Sequence, residues 1–186
     1  GWLTGKSVRM LLMKRSSPKK SCFTVLPAVL HVFPHGAEGR ERFYDAGMAL
    51  ARYGDWSLGF FASDGFVDES EPGHTHNDKL SFTLGFKGVP FFVDPGSGVY
   101  TRDPKVRNIL RGTAQHSTLR FGNLEQNEFR RVVWVYEVRR RELDVAEADG
   151  TCFRGATDCW ATRLGVTHKR VVEVGSEGVA VKDDVE

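Results

Sequence analysis

The chain has 186 residues, of which 40% are hydrophobic, and carries 26 basic and 24 acidic side chains for a formal net charge of +2. A chain of this length can bury one good hydrophobic core, so a single domain is the default expectation. Charges of both signs are mixed along its length, which argues against nucleic acid as a partner, and the longest mostly apolar run, 22–33, falls short of the roughly 20 residues that cross a bilayer.

The first 43 residues are predicted to be a connector from an upstream domain. Residues 16–20 and 34–36 are breaker runs of the kind found in solvated linkers. Basic residues precede an apolar stretch, as in a signal peptide, but there is no initiating Met and no small-x-small cleavage site. We therefore interpret 1–43 as a connector and 44–186 as a β-domain truncated at its C-terminus.

From residue 44 onward, short apolar alternations are separated by Gly, Asp and Pro, a pattern typical of β-strands. One helix is predicted at 103–110, because Asp103 can act as its N-cap and Pro104 suits the first helical position. Many short strands at regular spacing predict an all-β fold, an antiparallel β-sandwich or barrel. The predicted strands are 46–53, 56–63, 79–86, 90–94, 116–121, 131–138, 143–148, 159–164, 167–174 and 178–183, with tight turns at 53–55, 87–88 and 176–178.

Three cysteines, Cys22, Cys152 and Cys159, have neither zinc-ribbon nor thioredoxin spacing. An odd number cannot form a complete disulfide framework. They are predicted to be free thiols, buried or partly exposed.

Histidines and carboxylates are concentrated in one central segment of the chain. His74 and His76 stand two apart, so on a strand both imidazoles would project from one face, and His116 follows further on. Asp94 closes an apolar stretch, and its simplest role is to accept backbone N–H bonds in a turn. Together with His76 and His116, however, it completes a set of donors suited to Zn²⁺. Asp78 is the competing carboxylate.

Other polar residues have weaker claims to a site. His168 lies in an amphipathic strand, where a polar partner on the neighbouring strand explains it, and the basic run 139–141 is typical of a solvated strand edge. Three arginines between Asp94 and His116 matter more, because guanidinium groups recognise carboxylates and sulfates bidentately. These substrate-binding candidates are Arg102, Arg107 and Arg111.

These residues stand in an ordered string that resembles the C-terminal β-domain of the heparinase II/III-like polysaccharide lyases, a family that includes heparin, heparan sulfate and alginate lyases. The resemblance covers about 44–128 and, more loosely, the strands that follow. Ser117 and Gly112 depart from the family pattern, where asparagine and serine are common. The string reads Gly73-His74-x-His76-Asn77-Asp78-x-x-Ser81-Phe82, Gly88-x-Pro90-x-x-Val93-Asp94-Pro95-Gly96, Tyr100, Arg107-Asn108-x-x-Arg111 and Thr113-Ala114-x-His116-x-Thr118.

The resemblance implies a role for several of these positions. His74 matches a histidine that reaches into the substrate cleft, and His76, Asp94 and His116 match a metal-binding triad, usually zinc and here read as structural. Tyr100 joins the arginines as a substrate-binding candidate. The resemblance also implies an upstream (α/α) toroid, which supplies the tyrosine acid/base, an acidic polysaccharide substrate and β-elimination. The present chain alone is then expected to be inactive, and a periplasmic or secreted location is implied, with a cytoplasmic one still open.

Two other classes of function stay open. One is a metal-stabilised carbohydrate-binding or interaction module without catalysis. The other is a non-haem iron oxygenase that uses His76, Asp78 and His116 as its facial triad. The oxygenase is disfavoured because the arginine usual for 2-oxoglutarate, about ten residues beyond the distal histidine, is missing, and Arg120 is only four beyond.

Overall fold

A computed structural model of the chain describes residues 8–13, 39–43, 48–62, 76–99, 101–130, 134–135, 141–148, 150–176 and 178–186, with side chains described within 48–62, 76–99, 101–129, 152–176 and 178–186. These residues form two five-stranded antiparallel sheets and a two-stranded ribbon, which confirms the predicted all-β antiparallel class. The strands are β1 Val8–Met13, β2 Gly39–Phe43, β3 Met48–Tyr53, β4 Trp56–Phe61, β5 Ser81–Phe86, β6 Val89–Phe92, β7 Phe129–Arg130, β8 Trp134–Val135, β9 Arg141–Ala148, β10 Gly150–Thr157, β11 His168–Gly175 and β12 Gly178–Val185.

Most strands pair with their neighbours in sequence. One sheet has the order β1-β12-β11-β10-β9, the other has the order β2-β3-β4-β5-β6, and β7 pairs with β8 in the ribbon. The predicted turn at 87–88 joins β5 to β6, and Lys87 and Gly88 both have positive φ, 52° and 75°. Positive φ at both central residues gives a two-residue turn whose twist matches that of the strands. In the two-residue β3–β4 turn only the first residue, Gly54, has positive φ, 55°.

The hydrophobic core lies between the two five-stranded sheets. Phe60 of β4 stacks on Phe153 of β10 with ring centroids 6.2 Å apart. On β11 the buried positions alternate with more exposed ones, as expected for a strand with one face on the core. The buried core residues are Ala49, Ala51, Trp56, Leu58, Phe60, Ala62, Leu80, Phe82, Leu84, Phe153, Val172, Val174, Val179 and Val181.

At Gly155, β10 lies close to side chains of the sheet formed by β2 to β6. A Cβ atom built there would lie 2.5 Å from Cδ2 of Leu80 and 3.1 Å from the ring of Phe60. Only glycine fits this backbone position without a shift of its neighbours. The glycines at 150 and 155 also hid β10 from the sequence analysis, because glycine weakens a strand pattern.

Helices are short and connect the strands. Helix α1, Pro104–Leu110, begins as predicted: the Asp103 side chain accepts hydrogen bonds from the backbone N–H groups of Lys105 and Val106, both at 3.1 Å. A single 3₁₀ turn, Thr113–Gln115, follows it. Helix α2, Ala161–Leu164, ends at Gly165 in the left-handed conformation with φ 68°.

Two predicted strands are wrong. Residues 116–121 are irregular, because their polar groups bond to other loops: the Thr118 hydroxyl donates to the carbonyl of Lys79, and the Arg170 guanidinium donates to that of Ser117. Residues 159–164 form a turn and α2, with Trp160 fully buried. The predicted strand 131–138 contains β8, and its other residues lie outside the described part of the chain.

The predicted connector contains two strands of the sheets. β1 pairs with β12 from Val8 opposite Asp183 to Met13 opposite Gly178, and β2 pairs with β3. The domain boundary at residue 44 stays a prediction.

Candidate metal centre

The three predicted metal ligands come from loops at one end of the second sheet. His76 precedes β5 and Asp94 follows β6, and the tight turn between these strands brings both flanking loops to the same end of the hairpin. The chain then runs through α1 and the 3₁₀ turn to His116. One ligand atom from each of His76, Asp94 and His116 lies within 4.8 Å of the others.

Direct contacts join these residues. Nδ1 of His116 lies 2.7 Å from Oδ2 of Asp94, and the rings of His76 and His116 have centroids 5.4 Å apart. The other Asp94 oxygen, Oδ1, accepts the backbone N–H of Gly96 at 2.8 Å. Asp94 therefore accepts the turn hydrogen bond expected from the sequence with one oxygen and contacts the His116 imidazole with the other.

The Nε2 atoms of the two histidines differ in their hydrogen bonding. Nε2 of His116 is buried and has no hydrogen-bond partner. Nε2 of His76 lies 3.2 Å from the hydroxyl of Ser97, a residue that the sequence analysis did not single out. An unsatisfied buried ring nitrogen is costly, and a ligand atom or ion that reached it would remove that cost.

The protonation states of two of these groups suit a cation. Burial lowers the pKa of His76, which favours the neutral imidazole that metals bind. Burial raises the pKa of Asp94, but hydrogen bonds from His116 and from the Gly96 N–H outweigh it, so its pKa lies below 3.8 and it is ionised at neutral pH.

Asp78 differs from Asp94 in the direction of its pKa shift and in placement. Burial is the largest influence on Asp78 and raises its pKa above 3.8. Within the described side chains, the group with metal-ligand spacing contains Asp94 and does not contain Asp78. This geometry favours the lyase-type triad over the oxygenase triad of His76, Asp78 and His116.

The candidate substrate-binding arginines fall into two kinds. Arg102 is exposed, whereas Arg107 and Arg111 retain only 1% and 0% of their accessible surface. Burial, followed by the charge of Arg107, lowers the pKa of Arg111 to about 10. The Arg111 guanidinium lies over the ring of Phe129 at 4.5 Å. In this arrangement Arg102 alone of the three presents its side chain to solvent.

The end of α1 is tied to the segment that carries His76. The carbonyl of Arg111 accepts the backbone N–H of Asn77 at 2.9 Å. His74 and Tyr100, the other predicted site residues, lie outside the described residues. Their roles stay predictions.

A residue of the other sheet supports the site from behind. Arg170 of β11 donates from Nη1 to the carbonyls of Leu80, at 2.7 Å, and Ser117, the residue after His116. Leu80 has φ 57°, a strained value for a residue with a branched side chain, which persists only where surrounding contacts hold it. Arg170 is thus one of the contacts that hold Leu80 in place.

Asp183 and His168 complete this support. Asp183 accepts two hydrogen bonds from the Arg170 guanidinium, at 2.7 and 2.8 Å, and lies 2.6 Å from Nε2 of His168. The predicted polar partner of His168 on the neighbouring strand is therefore confirmed.

Cys152 and Cys159 are both buried and free, as predicted, and Cys22 lies outside the described residues.

A run of three polar residues was missed from the sequence. Glu125, Gln126 and Asn127 hydrogen-bond to the segments that carry His76 and His116. The sequence feature that could have identified them is the polar run at 125–128, which follows the turn at 122–123 and lies between two predicted strands.

No helix within the described residues is both long enough and apolar enough to cross a membrane.

The chain matches a known protein family and resembles solved structures. The family model described as heparinase II/III-like, C-terminal, matches residues 35–186. A heparan sulfate lyase mutant from Pedobacter heparinus is similar in structure, with a TM-score of 0.54 and 23% identity over 71% of this chain and 19% of that one. A heparinase III gene product has a TM-score of 0.59 and 20% identity over 82% of this chain and 22% of that one.

The present chain spans about a fifth of the length of the two solved structures, 19% and 22%. No curated protein sequence matches it significantly. At these identities the solved structures show a shared fold, and the family match, which covers most of the chain, shows the family. The chain therefore belongs to the heparinase II/III-like family of polysaccharide lyases and contains its C-terminal domain.

Proposed function

We propose that this chain is the β-domain of a lyase that cleaves a uronate-containing polysaccharide, of the heparan sulfate or alginate type, by β-elimination. The observation that carries the proposal is the convergence of His76, Asp94 and His116 in a member of this family. The names of the similar structures, a heparan sulfate lyase and a heparinase III, support an acidic polysaccharide as the substrate.

Two imidazoles and one carboxylate fit a divalent ion, and zinc suits this mixed nitrogen and oxygen set best. The lowered pKa values of His76 and Asp94 leave both groups without the protons that would compete with a metal. When bound, zinc supplies a cross-link between three loops, and we assign it a structural role. The residues themselves orient the segment 76–78.

The reaction defines what the complete active site needs. The C5 proton of a uronate is weakly acidic, so hydrogen bonds or cations must neutralise the carboxylate before a base removes that proton. The O4 leaving group then needs a proton. We assign His74 to stabilise or shuttle charge at this step, and a tyrosine of an upstream (α/α) toroid to serve O4.

An elimination assay tests the proposal. The reaction creates a conjugated C4–C5 double bond that absorbs in the ultraviolet. A longer protein that contains this chain and a toroid should produce this absorbance with at least one of heparan sulfate, alginate and hyaluronan. In that protein His74→Ala should abolish most of the activity, and Thr75→Ala, which changes the adjacent side chain, is the matched control.

The chain of 186 residues alone should stay silent on the same polymers, because half of the catalytic set lies elsewhere. Activity of the short chain that His74→Ala abolishes would show that the β-domain is catalytically complete. A longer protein that binds the polymers but never eliminates would instead support a metal-stabilised carbohydrate-binding module.

A further inference from the structure

Residues Glu125, Gln126 and Asn127, here named the 125–127 clamp, lie behind the two histidines of the metal centre. Oε2 of Glu125 accepts three hydrogen bonds: from the backbone N–H of Thr113 at 2.6 Å, from the Thr113 hydroxyl at 2.9 Å and from Nδ2 of Asn77 at 2.9 Å. One carboxylate oxygen therefore joins the residue next to His76 to the 3₁₀ turn that immediately precedes His116.

The other two members of the clamp, Gln126 and Asn127, also hydrogen-bond to the segment that follows His76. Asn127 and Asn77 bond reciprocally: the Asn77 amide donates to the Asn127 carbonyl at 2.9 Å, and the Asn127 N–H donates to the Asn77 side-chain oxygen at 3.1 Å. The Gln126 side chain accepts the N–H of Lys79 at 2.8 Å and donates to its carbonyl at 3.0 Å. The backbone of 77–79 is thereby fixed at both ends.

The clamp is itself held. The backbone N–H of Gln126 donates to the Thr113 hydroxyl at 2.8 Å. Nη2 of Arg163 donates to the carbonyls of Glu125 and Gln126, and the Arg163 guanidinium lies 5.3 Å from the ring of Trp160, which is fully buried. A rigid support behind the ligand loops lets the clamp transmit a fixed geometry to the site.

We propose that Glu125 is a positioning residue that sets the separation of His76 and His116 and thereby the affinity of this site for a divalent ion. The inference rests on the proposed metal centre. Glu125 contacts neither histidine in the hydrogen bonds described and acts through Asn77 and Thr113. Supporting residues of this kind change metal affinity by about 10- to 100-fold when they are replaced.

A carboxylate suits the task better than an amide. Three donors converge on a single oxygen, and an ionised carboxylate oxygen is the stronger acceptor. Burial raises the pKa of Glu125, but the hydrogen bonds from Thr113 and Asn77 and the charge of Arg120 outweigh it, so the pKa lies below 4.5. Glu125 is thus ionised at neutral pH.

The test measures zinc affinity by competition with a chromophoric chelator. Glu125→Ala should weaken zinc binding by about 10- to 100-fold, whereas Glu125→Gln, which keeps an acceptor oxygen, should weaken it less. Glu173→Ala, at an exposed position of β11, is the matched control and should bind zinc as the wild type does. If Glu125→Ala fails to fold, Glu125→Gln still gives a measurable shift.

Hydrogen–deuterium exchange of the zinc-free proteins gives a second readout. Glu125→Ala should speed exchange in 76–80 and 113–118 and leave β11 and β12 unchanged. Unchanged zinc affinity in both Glu125 variants, or uniform loosening of the whole chain, would overturn the positioning role. A wild-type protein that binds no divalent ion at all would instead remove the metal centre, and the inference with it, so the two failures are distinguishable.

Discussion

His116 and Asp94 share one short contact, 2.7 Å from Nδ1 to Oδ2, and the His116 side chain has no exposed surface. Because the imidazole is shielded from water, its position depends on Asp94 and on the loops around it. Metal ligands bind an ion in their deprotonated forms, so the affinity of this group for a divalent ion should rise with pH.

Substitution of the two candidate carboxylates, Asp94 and Asp78, should have different effects on the amount of bound zinc. Asp94→Asn should reduce bound zinc from about one ion per chain to well below that, because it removes a ligand charge. Asp78→Asn should retain the ion. Elemental analysis of protein purified without chelator measures both, and the reverse order would favour the oxygenase arrangement.

Removal of metal should lower the melting temperature. Zinc that binds only the folded chain adds RT ln(1 + [L]/Kd) to its stability, about 2.7 kcal/mol at a hundredfold excess over Kd. Excess chelator should therefore lower the melting temperature of the wild type. His116→Ala should melt at one temperature with or without chelator, and a wild type that ignores chelator would contradict a structural ion.

Acid should destabilise the fold in two stages through His168 and Asp183. Burial lowers the pKa of His168 from 6.5, so the unfolded chain takes up a proton below 6.5 that the folded chain resists. Burial raises the pKa of Asp183, but hydrogen bonds from His168 and Arg170 lower it from 3.8 to about 2. Both depressed pKa values give stability that is complete at neutral pH and falls as the pH falls.

The Asp183 contribution, on the order of 2 kcal/mol, should disappear between about pH 4 and pH 2. Asp183→Asn should cost about 3 kcal/mol at pH 7, because it leaves the Arg170 charge buried without its partner. Urea unfolding across this pH range measures both effects. Asp184→Asn, at the half-exposed neighbour, is the control and should keep the wild-type acid profile.

Gly155→Ala should destabilise the chain by about 1–3 kcal/mol, because the added methyl group meets Leu80 and Phe60 in the core. Gly175→Ala is the matched control on a neighbouring strand, since its Cβ would meet nothing within 4 Å. In thermal unfolding, Gly155→Ala should therefore melt at a lower temperature than Gly175→Ala. Equal stabilities would show that the sheets can separate at β10 without cost.

The sequence predicted those parts of the fold that depend on local patterns. Strands β3 to β6, β11 and β12 follow from alternating apolar residues with glycine turns, and the start of α1 follows from Asp103 and Pro104. The three ligand candidates were accessible for a different reason, since they stand in a string that resembles one family. That string also carried His74 and Tyr100, whose roles stay predictions.

The missed elements depend on contacts between distant residues. Residues 116–121 look like a strand, but the carbonyl of Ser117 is taken by Arg170, which lies 53 positions later. The importance of Glu125 comes from bonds that span 12 and 48 positions, to Thr113 and Asn77. Such pairs lie too far apart in the sequence to appear in a local residue pattern. The 125–127 clamp can therefore be recognised only in the structure.

The bond from Arg170 to the carbonyl of Leu80 spans 90 positions and has a consequence for biosynthesis. Ribosomes add about 5–20 residues per second, so all three metal ligands are made several seconds before Arg170 and its partner Asp183. During that interval the strained Leu80 lacks the guanidinium that holds it. The hydrogen bond that helps to hold Leu80 near the candidate ligands can therefore form only after β11 has been translated.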